Sequence, residues 1–216
     1  SGGTLRATPA SDQVVFDNVQ SDLLSTVTQG LIITLVSVFG FLSLAYRVTG
    51  RPASLGFVTM IPVMLAVTWI LGSMWVLSIP FNTLTGTITS LTVGLGIAYS
   101  IHISSRYELE LRRQGDVWKA MRTTVTGTGG ALLGSAATTV GGFGTLAIAI
   151  LPILQQFGII TGLTIVYAFL ASVFVLPSLL ALWTRYFGPA AYFPDEETTQ
   201  NEQAVGDEQP TADGGE

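Results

Sequence analysis

The 216-residue chain contains no cysteine, so disulfides, thiol catalysis and cysteine-ligated metals are excluded. Charge is the next scarcity, with nine Lys and Arg, fourteen Asp and Glu, and a single histidine. Soluble domains carry roughly a quarter of their residues as charges. A charged fraction of 11% beside 49% hydrophobic residues excludes both that class and a charge-rich disordered chain. No Asp, Glu, Lys or Arg occurs in Leu23 to Tyr46, in Pro52 to Ser105 or in Thr123 to Thr184, intervals of 24, 54 and 62 residues.

A helix needs about 20 residues to cross roughly 30 Å of hydrocarbon, so the first interval holds one span and each longer one holds a hairpin of two. The expected spans are Ser25 to Tyr46, Leu55 to Leu77 with a kink at Pro62, Thr83 to Ser105, Thr126 to Ile150, and Phe157 to Leu182. A β-barrel would instead need many alternating strands of about ten residues. The fold class is therefore all-α, a five-helix transmembrane bundle over residues 23–184.

Charge is distributed unevenly around these spans. Arg47 and Arg51, the segment Arg106 to Arg122 with net +2, and Arg185 fall on one side, while the uncharged turns and the Asp-bearing start fall on the other. The positive-inside tendency puts the N-terminus outside and the C-terminus in the cytoplasm of a multi-pass cell-membrane protein. Residues 195–216 carry eight carboxylates and no base, so the acidic pI of 4.7 describes a tail; residues 1–194 have nine bases against six acids. That tail, within a cytoplasmic segment 185–216, reads as solvated and disordered from about residue 195. The few bases form no aromatic-interleaved patch, so nucleic acid is not an expected partner. Residues 1–22 read as an extracytoplasmic lead-in. They lack the basic, apolar and cleavage regions of a signal peptide, and with Ser1 in place of Met the sequence reads as a fragment or processed product.

Within the third span, Thr87, Ser90, Gly94, Ala98, His102 and Ser105 recur at three- and four-residue spacing and make one small, polar stripe. Gly127, Ala131, Ser135, Thr138 and Gly142 make a second in the fourth span. Small residues let backbones approach, so the two stripes are expected to face each other inside the bundle. Tyr99 and His102 lie one turn apart, where phenol and imidazole can organise water or a proton path; a structural or interfacial use of His102 fits the same spacing. No ligand cluster accompanies His102, so no metal and no cofactor is expected. Gly141 to Gly144 is glycine-rich but lacks the lysine of a phosphate loop. No set of nucleophile, base and oxyanion donors is present, so the chain does not read as an enzyme.

The run Gly94-Leu-Gly-Ile-Ala-Tyr-Ser-Ile-His-Ile-Ser-Ser-Arg-Tyr107 resembles the fourth- and tenth-helix motif of the resistance-nodulation-division superfamily, especially its MMPL-like and archaeal exporter branches. The likeness continues through Thr123 to Leu146 and Gln156-Phe-Gly158. It covers roughly Leu23 to Trp183 and implies the last five helices of a twelve-helix exporter, a block similar in architecture to a sterol-sensing domain. The resemblance implies an N-terminal half elsewhere, and it allows the lead-in to be the end of an external domain. It also implies a proton relay in which an acid stands beside the tyrosine. Here that position is Ala98, followed by Tyr99, and a methyl group cannot titrate. Three explanations stay open at this point: a supporting role for this half, an acid supplied by the other half, or a disabled relay. His102, Ser105 and Arg106 fit the motif too, with Arg106 as an anchor at the cytoplasmic end, although many archaeal forms carry histidine where Ser105 stands.

The expected function is the C-terminal transmembrane portion of a proton-driven exporter of lipids or hydrophobic compounds, inactive alone. The alternative is a membrane-embedded lipid-sensing, scaffold or assembly module. A proton gradient is expected for the whole transporter, and the expected partners are membrane lipids, the missing half and a further copy in a homo-oligomer.

Overall fold

A computed structural model describes residues 12–50, 52–79 and 83–187, and every element among them is helical. The order is α1 (Asp12–Val48), α2 (Ala53–Val76), α3 (Thr83–Gln114) and α4 (Val117–Gly144), closed by a 3₁₀ turn (Thr145–Ile148). Then come α5 (Pro152–Leu170), a π-helical turn (Ala171–Val175) and α6 (Leu176–Phe187), which run on without a break. Five helices are long and apolar enough to cross a membrane: Ser25–Val48, Ala53–Val76, Thr85–Gln114, Val117–Ile148 and Pro152–Phe187. Most of the lead-in, Arg51 and the acidic tail lie outside the described residues.

The spans are longer than their uncharged cores. α1 begins at Asp12, well before the expected start near Ser25, and Thr26 Oγ1 donates back to the Asp22 carbonyl at 2.8 Å within it. The basic segment between the third and fourth spans is a helical hairpin and not a loop. α3 continues to Gln114 because its charges pair along the helix, Arg106 with Glu110 and Arg112 with Glu108, each at 2.7 Å. Gly115 then takes φ 66°, a conformation that favours glycine, and ends the helix. Asp116 caps α4 by accepting from the Trp118 and Lys119 backbone N–H groups at 2.7 and 2.9 Å. Two residues, Gly115 and Asp116, make the whole connection.

The fifth span has its own irregularity. Pro177 lacks an N–H and its ring crowds the carbonyl four residues earlier, at Val173, and the wider π turn covers that residue. In the bundle, α3 and α5 each pack against both α2 and α4, whereas α1 packs on α2 and α3. Buried hydroxyl pairs tie the helices together: Tyr46 with Ser104 at 3.0 Å, Ser100 with Ser172 at 2.9 Å, and Tyr107 with Thr184 at 2.9 Å. Other hydroxyls return to their own helix, as Thr59, Thr89 and Thr124 do to carbonyls four residues before them. In hydrocarbon such internal satisfaction replaces the water that polar groups would otherwise need.

Candidate functional site

The polar residues of α3 occupy two faces. The face turned into the bundle is built from Val93, Gly96, Ser100, Ile103, Ser104 and Tyr107, all buried. The predicted stripe is the other face: Thr87, Gly94, Ala98 and His102 are exposed, and Ser90 and Ser105 are half-buried. On α4, Gly127, Ala131, Ser135, Thr138 and Gly142 are likewise exposed, while Ala120, Thr124, Gly129, Leu132 and Ala136 turn inward. The expectation of close packing between the stripes therefore fails within these five helices. A Cβ added at Gly94, Gly127 or Gly142 meets no atom within 4 Å.

Close approach occurs elsewhere, at glycines outside both stripes. A Cβ at Gly96 would stand 3.1 Å from the Ala168 methyl, and one at Gly158 only 2.6 Å from the Phe143 carbonyl oxygen. Spacing alone could not separate the two faces of α3, because Ser100 and Ser104 repeat at the same interval as Gly94, Ala98 and His102. Their partners are distant, Ser172 lying 72 residues after Ser100 and Tyr46 lying 58 before Ser104, and no local pattern announces either.

One residue joins the stripes. Tyr99 is only 8% exposed, its ring meets Phe169 edge-on at 6.4 Å, and its phenol lies beside Ser135 of α4. Thr138 and Thr139, also on α4, donate to the Gly134 and Ser135 carbonyls at 2.8 Å each. The face as a whole is an open strip of small groups on α3 and α4, with His102 towards the end that leads into the charged segment. At residue 98 it presents a methyl, so that position holds no proton. Gly94, Ala98, His102 and Arg106 follow one another at four-residue steps, which places the imidazole between the methyl and the guanidinium.

Beyond His102 the chemistry becomes ionic. Arg106 reaches Glu110, which is only 5% exposed and also accepts from Gln114 Nε2 at 2.7 Å, with Arg113 at 4.0 Å. Such a carboxylate needs these partners, since an unpaired buried charge is strongly destabilising. The structure thus commits the Arg106 guanidinium to holding the end of α3. Among the described residues no group of three His, Cys, Asp or Glu could hold a metal ion.

The MMPL family description matches residues 5–203. A membrane protein of Methanocaldococcus jannaschii is 36% identical over 156 residues, covering 72% of this chain and 40% of that protein. The apo-petrobactin exporter of Bacillus anthracis is 30% identical over 118 residues, 54% of this chain and 15% of the exporter. The sulfolipid-1 exporter MmpL8 of Mycobacterium tuberculosis is 32% identical over 98 residues, 45% of this chain and 9% of the exporter. The chain spans less than half the length of each of these relatives. The match over nearly the whole sequence settles the family: this multi-pass membrane chain belongs to the MMPL family.

Proposed function

We propose that the chain is the C-terminal transmembrane portion of a proton-driven exporter of lipids or other hydrophobic compounds. The observation that carries the reading is the open face of α3 and α4, where small and hydroxyl-bearing residues are exposed together. In hydrocarbon such a face gains nothing from lipid, whereas a second set of helices can pack closely against it. The exporter names of two relatives support the same class. The missing half of the transporter covers this face. A protonation change elsewhere in the transporter biases the packing of the two halves, and the displacement passes to the extracytoplasmic parts that move substrate. Tyr99, Ser135 and His102 orient hydrogen bonds along the face, and Ala98 interrupts the relay on this side. The five helices do not transport alone. The N-terminus lies outside and the basic ends lie in the cytoplasm.

The test is pH-gradient-driven flux of the intact protein in vesicles, with and without Ala98→Asp. The carboxylate should increase the gradient-dependent component, and an unchanged component in correctly oriented protein would count against the interrupted relay. Ala98 also favours a second reading, a lipid-sensing or scaffold module without a proton cycle. On that reading neither protein moves substrate in response to a gradient.

A further inference from the structure

We propose that the edge between α2 and α5 is a binding groove for one chain of a membrane glycerolipid, with the lipid's glycerol-linkage oxygen accepting a hydrogen bond inside it. The groove has a volume of about 840 Å³ and is lined only by residues 68–77 and 163–170. Neither α1 nor α4 contributes to it, so it lies on a different edge from the open α3 and α4 face. Four features make it a site and not a smooth helix flank.

The first is a missing side chain: Gly72 lies in the lining, and a Cβ there would meet nothing within 4 Å. The second is a polar pair in a mostly apolar wall, Ser73 Oγ and Tyr167 Oη at 2.7 Å, the hydroxyl of Thr68 being spent on the Met64 carbonyl of its own helix. Two hydroxyls carry two protons, one of which lies between the oxygens, so the pair has a second to offer an acceptor. The third is orientation, since Trp69 meets the Tyr167 ring edge-on at 5.7 Å and fixes where the phenol points. The fourth is depth. Ser73 is three residues from the end of α2 at Val76, about 4.5 Å along the helix axis, beside the uncharged turn. That is where hydrocarbon gives way to the oxygen-bearing linkage of a lipid, and Trp75, 84% exposed, stands at the mouth where interfacial tryptophans are enriched.

The occupant follows from these features. The wall is apolar, so it takes hydrocarbon; the handle donates, so it takes an oxygen acceptor; the adjoining turn is uncharged, so no charged headgroup is selected. A glycerolipid of the surrounding leaflet has all three properties. The inference rests on membrane residence and does not depend on export.

The experiment uses the intact protein in vesicles of phosphatidylcholine, extracted into mild detergent and weighed by native mass spectrometry. Wild type should keep one phosphatidylcholine per copy after the remaining lipid is stripped. Gly72→Trp should lose it, and Ser73→Ala with Tyr167→Phe should weaken its retention about fivefold, as one neutral hydrogen bond implies. Trp118→Phe, at the opposite end, should keep it. A wild type that retains no lipid, or a Gly72→Trp variant that retains it equally, overturns the proposal. A benzophenone amino acid at Trp75 gives a readout in protein that is folded and not stripped. Crosslinking to phosphatidylcholine supports the groove, whereas crosslinking to another segment of the protein or to a second copy overturns it.

Discussion

Gly158→Ala is the sharpest test of how the end of α4 and the start of α5 are held together. The added methyl would stand 2.6 Å from the Phe143 carbonyl oxygen, 2.7 Å from the Leu146 Cβ and 3.0 Å from the Ala147 nitrogen. Two of these three atoms are backbone, so no side-chain rotation relieves them and the start of α5 must move off α4. Overpacking of this kind costs about 1–3 kcal/mol. Alanine returns up to about 1 kcal/mol of helix propensity over glycine. Against wild type the net loss is about 0–2 kcal/mol, and against a control that gains the same propensity it is about 1–3 kcal/mol, roughly 5- to 150-fold in the unfolding equilibrium. Reversible unfolding in mixed micelles, followed by helicity, measures it. Gly40→Ala is the matched control, because its Cβ meets nothing within 4 Å, and it should be neutral or slightly stabilising. Leu146→Ala should not rescue Gly158→Ala, since the carbonyl contact remains. Equal stability of Gly158→Ala and Gly40→Ala would refute the argument.

Three further outcomes follow from the same geometry. Ser100→Ala and Ser172→Ala each leave a buried hydroxyl without its partner and should each cost about 1 kcal/mol. The double variant should cost less than the sum, and additive losses in the double-mutant cycle would remove the pair from the account. Because the chain has no native cysteine, single cysteines report topology directly. Thr49→Cys in the α1 to α2 turn should react with an impermeant maleimide only after cells are opened, and Ile150→Cys, at a residue 98% exposed, should react in intact cells. The reverse pattern would invert the orientation.

How much was legible depended on whether a signal was local. The uncharged intervals gave the five spans, because burying charge in hydrocarbon is costly at any position along a helix. Helix ends were less legible. Paired charges on α3, Arg106 with Glu110 and Arg112 with Glu108, extend a helix that looked finished at Ser105, and the glycine and aspartate that stop and restart it are informative only once that extension is granted. The faces of α3 were the hardest to read. Its sequence offers two small, polar stripes at the same period, and the inward one is identified by distant partners, Ser172, Thr184 and Ala168. The stripe around Ala98 lies on the exposed side of these five helices, and its pattern does not say so, because small residues suit packing against any helix, including helices beyond these five. The groove beside Gly72 has no sequence signature, since Ser73 and Tyr167 meet across 94 residues.

The most direct test of the central claim is export by the intact wild-type protein in sealed vesicles with an imposed pH gradient, before and after a protonophore. The account predicts flux of a lipid or hydrophobic substrate that follows the gradient and collapses with it. Flux that is equal with and without the gradient would contradict proton coupling.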